Sequence, residues 1–411
     1  MNIVIVNHYA GGPSFGMEFR PYYLAREWMR KGHRVLIVGA SFSHLRTDQP
    51  EIVTALKYEN IDQVEYLWLR TNRYFGNGIG RILSMFLFTL RLFFRLRKEL
   101  IAFNPDLIIA SSTYPLDNFP IKFLAGKFAA LHCYEVHDLW PLSPMELGGY
   151  SKYHPFILIM QWAENFAYRN VDSVISMLPK TLDHMMGHGL DKKKFKYIPN
   201  GIAIDEWMDQ VEESDYALRI NKLKVEKDCT IVGYVGGHAV SNALEYLIEA
   251  ADHAKVFAPY LQFVLVGNGS EKKALIALAK KKELDNILFL PPVSKCSIPP
   301  LLASMDILYL GWRRNPLYRF GISPNKLIDY MMSAKPIVHS VEAANDLVKE
   351  AGCGISVQPE NPEQIVNALI GISKMDKSSI IEMGKKGKEF VLKYYDYEKL
   401  AEDFLIFATK K

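Results

Sequence analysis

The chain opens on a short apolar run, Ile3–Asn7, of the kind that is buried on both faces of a parallel sheet. A Gly/Pro/Ser loop over 8–16 follows. Arg20–Lys31 then has helical spacing, with Tyr22, Leu24, Ala25 and Trp28 on one face and Gly32 placed to stop the helix. Val35–Gly39 reads as the next strand. The spacing predicts further strands at Val64–Leu69, Leu107–Ala110, Leu131–Glu135 and Ser173–Ser176, with helices near 79–102, 118–129, 155–169 and 179–187. The second half repeats this rhythm. Strands are expected at Thr230–Tyr234, Gln262–Val266, Ile287–Phe289, Ile307–Leu310, Ile337–His339 and Gly354–Val357. Helices are expected at 241–257, 270–283, 298–304, 324–333, 343–351 and 361–372. Such alternation predicts an α/β architecture, with parallel sheets wound by helices on both faces. The boundary between two domains falls after Tyr197–Ile202, where a Pro-Asn-Gly turn leads into a polar, acidic stretch over 205–215. Tyr397–Thr409 reads as a helix beyond the last domain.

Composition narrows the function classes. The 411 residues are 49% hydrophobic and 23% charged, as in a soluble globular protein, which argues against disorder over most of the length. The length exceeds one ordinary core. A formal charge of +4 is too small for a strongly basic nucleic-acid binder, so no nucleic-acid partner is expected. Charge is uneven, however. Residues 1–200 carry 23 basic and 17 acidic side chains, against 26 and 28 in 201–411. The first half is therefore the better match for an anionic partner, such as a membrane surface or a phosphorylated substrate. Four scattered cysteines form no CxxC or zinc spacing, and no HExxH or EF-hand pattern occurs, so no metal is expected. The N-terminus lacks the basic start and cleavage site of a signal peptide, which points to a cytoplasmic protein.

Four segments carry candidate chemistry. The loop Tyr9–Arg20, with Gly11, Gly12 and Gly16, joins the first strand to a helix, where backbone N–H groups can approach a phosphate. Its spacing is neither GxGxxG nor a P-loop, and an ordinary strand–helix turn explains the glycines equally well. In HCYEVHDLWP, His137 and Asp138 fall at the carboxyl edge of a strand, the edge that lines the ligand crevice of an open parallel sheet. A lone loop histidine more often only bonds local backbone. The densest segment is 311–336, where Arg313, Arg314, Arg319 and Lys326 crowd one loop and the helix start after it. Ser323 suits a cap and Pro324 a first-turn position, which makes an anion site with Lys326. Asp329 follows at i+3, giving a cation for a diphosphate and a carboxylate for ribose hydroxyls. A solvated basic loop is the plain alternative. Finally, 79–98 holds five basic residues and no acidic one, with Arg91, Arg95 and Lys98 at i, i+4, i+7. It is too short between charges to span a bilayer but suits a membrane interface, or a core helix with a cationic edge.

With these pieces in order, the chain resembles the retaining GT-B glycosyltransferases of family 4 over essentially its whole length. The resemblance rests on NHYAGGPSFGMEFRPYYLAREWMRKGHRV, YEVHDLWPLSP, YIPNGI, LVGNGSEKKAL and SPNKLIDYMMSAKPI. It is most similar to enzymes of bacterial O-antigen and capsule assembly, including N-acetyl-L-fucosaminyl transferases. The resemblance implies two Rossmann-like doubly wound domains facing a central cleft. Residues 1–201 with the crossover helix 397–411 would bind the acceptor, and 202–396 the nucleotide sugar. It implies His137 beside the donor sugar and its diphosphate, and Gly16 packed against that diphosphate. The second acid of the family's glutamate pair matches Asp329, expected on the ribose, but Gly321 stands where the first glutamate is expected. The family's Arg and Lys of the GR-x-KG loop are absent from GYVGGHAVSNALEYL, which leaves the diphosphate to Arg319 and Lys326.

The implied reaction moves a hexosyl group from a nucleoside diphosphate sugar, UDP-linked in the relatives, to a lipid-linked saccharide acceptor. No metal or other cofactor is expected. Glu18 and Arg20 are candidate acceptor contacts, and 79–98 a peripheral contact with the inner face of the plasma membrane. A sugar-nucleotide epimerase or hydrolase of the same fold, or a non-catalytic sugar-nucleotide binder, are the competing classes.

Overall fold

The structure, a computed structural model, describes residues 1–76, 78–209 and 215–410. The chain divides into two compact units, Met1–Asn200 with Tyr397–Lys411, and Gly201–Asp396.

The first unit is built on β1 (Asn2–Val6), β2 (Arg34–Ala40), β3 (Leu56–Ile61), β4 (Val64–Leu69), β5 (Leu107–Ala110), β6 (Leu131–Val136), β7 (Ser173–Ser176) and β8 (Phe195–Tyr197). They form one sheet in the order β3-β4-β2-β1-β5-β6-β7-β8. All neighbours are parallel except β3 and β4. Strand order reverses at β1, whose neighbours are β2 and β5, so the crevice for a ligand opens beyond the carboxyl ends of β1 and β5. β1, β5 and β7 are buried almost throughout, which explains their uninterrupted apolar runs. β3 was not foreseen. It is a half-exposed edge strand joined to β4 by Asp62–Gln63, both in the left-handed region at φ 48° and 72°. That is the geometry of a two-residue hairpin, made here without the usual Asn-Gly. The final helix, Tyr397–Ala408, belongs to this unit. Trp28 Nε1 donates to the Ala401 carbonyl at 2.8 Å, and Tyr23 stacks on Tyr397 at 5.0 Å.

The second unit contains β9 (Thr230–Val235), β10 (Leu261–Val266), β11 (Ile287–Leu290), β12 (Ile307–Gly311), β13 (Ile337–Ser340) and β14 (Gly354–Val357). The order is β11-β10-β9-β12-β13-β14, all parallel, and it reverses between β9 and β12. The doubly wound reading therefore holds in both units.

Several elements differ from the expectation. The long helix predicted over 79–102 is Ile79–Arg91, a π-helical turn Leu92–Leu96, and Arg97–Phe103. The wider turn shifts the phase of everything after it, so Arg91 bonds the Ala55 carbonyl while Arg95, Arg97 and Lys98 are exposed. The acidic stretch 205–215 lies partly outside the described residues, and its described flanks are helical, Ile204–Asp209 and Asp215–Lys227. An 18-residue helix, Lys377–Tyr394, occupies a stretch for which the sequence reading assigns no element. No helix among the described residues is long and apolar enough to cross a membrane.

Candidate functional site

In the first unit the carboxyl ends of β1, β5 and β6 are stitched together by polar groups. Asn7 Nδ2 donates to the Ser111 carbonyl at 2.9 Å, and the His8 amide donates to Ser112 Oγ at 3.0 Å. Just past β6 stands His137. Its Nε2–H reaches Ser111 Oγ at 2.9 Å and Glu135 Oε2 at 3.2 Å, and its Nδ1 lies 3.4 Å from a Glu18 oxygen. Glu135 is fully buried, accepts the Ser111 hydroxyl at 2.6 Å, and pairs with Arg20 at 2.8 Å. Burial opposes ionisation of Glu135, but Arg20 and His137 hold its carboxyl well below the usual carboxylate range. Burial also opposes the charge on His137, yet its hydrogen bonds to Glu135 and Glu18 prevail and raise its pKa to about 9. His137 is therefore an imidazolium at neutral pH, unsuited to act as a general base there. Glu18 is held at φ 70°, an unusual conformation for a non-glycine residue and one that clusters at functional sites. Its contact with Nδ1 is the loosest in the cluster, so a ligand oxygen could replace it with little loss.

In the second unit the loop after β9 meets the start of helix Asn325–Met332. Lys326 reaches back from that helix, its Nζ donating to Asn242 Oδ1 at 2.8 Å and Tyr234 Oη at 3.0 Å. Tyr234 Oη in turn donates to the Gly237 carbonyl at 2.6 Å, and Asn242 Nδ2 donates to the same oxygen at 2.8 Å. A Cβ on Gly236 would stand 2.4 Å from Lys326 Cδ, so only glycine lets the lysine lie across the strand end. Burial lowers the Lys326 pKa to about 8, and a bound anion would favour its charged form. Asp329, one turn on, makes no carboxylate hydrogen bond among the described residues, and burial, opposed by Lys295, raises its pKa to about 7. His238, on the same loop, is buried and neutral, with its pKa near 4 through burial and the charges of Lys272 and Lys326.

The structure thus brings His137 and Glu18 together in one unit, and Lys326 and Asp329 onto one short helix in the other. It bears on four expectations. Arg20 is no acceptor contact: it is 3% exposed, with its guanidinium spent on Glu135 and the carbonyls of Ile198 and Pro199. Arg319 is not among the hydrogen-bond partners of Lys326. It is exposed, bonds the Pro316 carbonyl and lies over Phe320, on the wall of a surface cavity shared with Arg314 and Glu342. Gly16 sits in a tight turn, its N–H closing onto the Gly12 carbonyl at 2.9 Å. Its φ of 78° keeps glycine necessary. Pro324, not Ser323, is the cap residue, with no side-chain cap bond. Gly321 explains its own departure from the family. At φ 99° it occupies a conformation that a glutamate would enter only under strain.

Sequence reasoning missed Glu135, Ser111 and Asn242. Glu135 was quoted within its motif but without a role, and Ser111 and Asn242 gave no local signal. No cation pattern was seen in sequence, yet Glu164, His184 and His188 gather within reach of one ion. Gln161, Asn165 and Tyr168 already hydrogen-bond that group.

Comparison with known proteins bears on the family and the fold. The Glycosyltransferase Family 4 model matches residues 16–206, and the Glycosyl transferases group 1 model matches residues 229–374. The chain is 24% identical over 392 residues to a protein named as the colanic acid biosynthesis glycosyl transferase WcaI of Escherichia coli (strain K12), covering 92% of this chain and 93% of that one. Among solved structures it is similar to sucrose-phosphate synthase from Thermosynechococcus elongatus, with TM-score 0.73, 17% identity and full coverage of both chains. It is also similar to Anabaena HepE, solved in complex with UDP and glucose, with TM-score 0.69, 17% identity and full coverage of both. The two glycosyltransferase models match in order along the chain, and its two doubly wound sheets share the fold of these solved structures, so the chain has a GT-B fold and is similar in sequence to family 4 glycosyltransferases.

Proposed function

We propose that the chain transfers a sugar, with retention at the anomeric carbon, from a UDP-sugar to a lipid-linked saccharide during assembly of a bacterial surface polysaccharide. An N-acetylated deoxyhexose or hexosamine is the proposed sugar. The carrying observation is Lys326. Its ammonium is held against Asn242 in the loop where the family's own cations are missing, at the point where the second sheet reverses its strand order. There it would meet the charge that develops on the departing diphosphate, as a fixed donor in a partly dry site. Asp329, with its carboxylate open, would take the ribose hydroxyls. His137, a charged donor steadied by Glu135, would contact the donor sugar when Glu18 yields. Neither half needs a metal for these roles. The UDP in the HepE complex and the colanic acid role in the WcaI name support the base and the pathway class.

The acceptor is assigned to the first unit. An exposed apolar stripe on its 79–103 segment, Ile79, Leu83, Leu90, Phe94 and Ile101, runs beside Arg95, Arg97 and Lys98. That is the composition of an interfacial helix, here placed on the inner face of the plasma membrane. The test is an assay of UDP release from a panel of UDP-sugars with undecaprenyl-diphosphate-linked saccharides, followed by NMR of the product linkage. Acceptor-dependent release with the donor's anomeric configuration retained is the expected result. Release of free sugar without an acceptor would assign the epimerase or hydrolase class instead. Binding without turnover would assign the non-catalytic one.

A further inference from the structure

The first unit holds a cavity of about 320 Å³, at the lower end of the range for small-molecule sites. Its walls come from Arg81, Ile82 and Met85 on helix Ile79–Arg91, from Asp138 and Trp140 just beyond His137, and from Phe156 at the start of another helix. The lining is of three kinds. Met85 and Phe156 are buried and apolar, and Trp140 meets Phe156 edge-on at 6.1 Å. Asp138 is fixed, because one carboxylate oxygen accepts the Leu139 amide at 3.0 Å and the Ser143 hydroxyl at 2.6 Å. Arg81 is held between two rings, its guanidinium 5.3 Å from the centroid of Tyr9 and 5.5 Å from that of Trp140, with Nε donating to Tyr9 Oη at 3.2 Å.

A guanidinium stacked in this way is oriented in advance and presents a planar fork, the geometry that matches a phosphate. The surroundings are already cationic. Burial, with the charges of Arg46 and Arg81, drives His8 well below its ordinary pKa, and burial with Arg81 takes His44 to about 4. An anion here would relieve that field. A carboxylate such as Asp138 favours the hydroxyls of a sugar, and it follows His137 directly in the chain. The outer face of the same helix carries Ile79 and Leu83, exposed at the head of the apolar stripe. A ligand combining hydroxyls, a phosphate and a hydrocarbon chain would satisfy all three linings, with its tail leaving along the stripe.

We infer that this cavity takes the head of the lipid-linked acceptor, with the phosphate on Arg81, the sugar hydroxyls on Asp138 and the first isoprenoid carbons on Met85 and Phe156. The inference rests on the transferase reading above and adds the place and the residues. Farnesyl diphosphate is the probe, measured by equilibrium dialysis against the full chain, with farnesol and inorganic pyrophosphate as its separate parts. Arg81→Met keeps the side-chain stem and removes the charge. Leu147→Trp fills the cavity from an exposed wall position, so the question stays answerable if the first variant does not fold.

Both variants are expected to weaken farnesyl diphosphate by about tenfold or more while retaining UDP binding. Lys326→Ala is expected to keep farnesyl diphosphate and lose UDP. Wild-type affinity in both cavity variants would overturn the inference. So would binding lost only in Lys326→Ala, which would place the probe in the donor site, or farnesol binding as well as its diphosphate. Each of these outcomes leaves UDP binding intact as the separate test of the transferase reading.

Discussion

The charge on His137 depends on two carboxylates that arrive from different directions, Glu135 from two residues before it and Glu18 from the first loop. Its folded pKa of about 9 lies above the ordinary 6.5. The stability it contributes is therefore complete below about 6.5 and is lost as pH rises through about 9. Thermal melts between about pH 7 and about pH 10 should show a fall in the wild type that is smaller in His137→Gln. Equal slopes would mean that the ring is not charged in the fold. The same variant should lose about 100-fold or more in turnover. Glu135→Gln should also lower activity and move the pH profile toward lower pH, as expected of a positioning residue. At this scale the sequence singles out His137, Lys326 and Asp329 as candidates, because each sits in a local pattern: a strand edge, a helix start, an i+3 pair. It could not show that Arg20 pairs with Glu135 across 115 positions, or that Lys326 meets Asn242 across 84. Those pairings exist only after the sheets have formed.

At the scale of elements, the end of β9 and the start of helix Asn325–Met332 make one unit of function. Gly236 sits at φ 158°, where a side chain is strained, and its Cβ would meet the movable stem of Lys326 at 2.4 Å. Gly236→Ala should therefore weaken UDP binding by about tenfold, by straining the strand end and displacing the lysine together. A calorimetric titration giving wild-type affinity would show that the lysine position is not needed. The segment 79–103 offers a second prediction. Reversing Arg95, Arg97 and Lys98 to glutamate should abolish flotation with anionic vesicles and leave neutral vesicles unaffected. Unchanged flotation would sink the membrane contact. The strands were legible because burial on both faces leaves an uninterrupted apolar run. The helix Lys377–Tyr394 was not foreseen, and it carries Gly384 and Gly387, poor helix formers in isolation. In the fold they allow close packing instead: a Cβ on Gly384 would fall 1.9 Å from the Ala334 carbonyl oxygen, and one on Gly387 2.9 Å from Cys353 Cβ. The π turn at Leu92–Leu96 is likewise invisible to a 3.6-residue period, which is why Arg91 was misplaced with Arg95 and Lys98.

For the whole molecule, the chain returns at its end to the unit in which it began. Helix Tyr397–Ala408 covers Trp28 and buries Phe404 against it, with ring centroids 5.3 Å apart, and Lys31 pairs with Glu402 at 2.8 Å. Removing 397–411 should destabilise the first unit by several kcal/mol, about the cost of uncovering two large aromatic side chains. Differential scanning calorimetry would then show that unit's transition lowered while the second unit's stays in place. No change in either transition would mean that the helix is not part of the folded first unit.

The central claim is that the second unit binds a nucleoside diphosphate through Lys326, and calorimetric titration of UDP, GDP, ADP and dTDP against wild type and Lys326→Ala tests it most directly. The account predicts selective binding of UDP that is lost in the variant. It also predicts that wild-type affinity falls as pH rises through about 8, where the lysine gives up its proton. Absence of selective binding, or affinity that is the same in the variant and flat across that pH range, would contradict it.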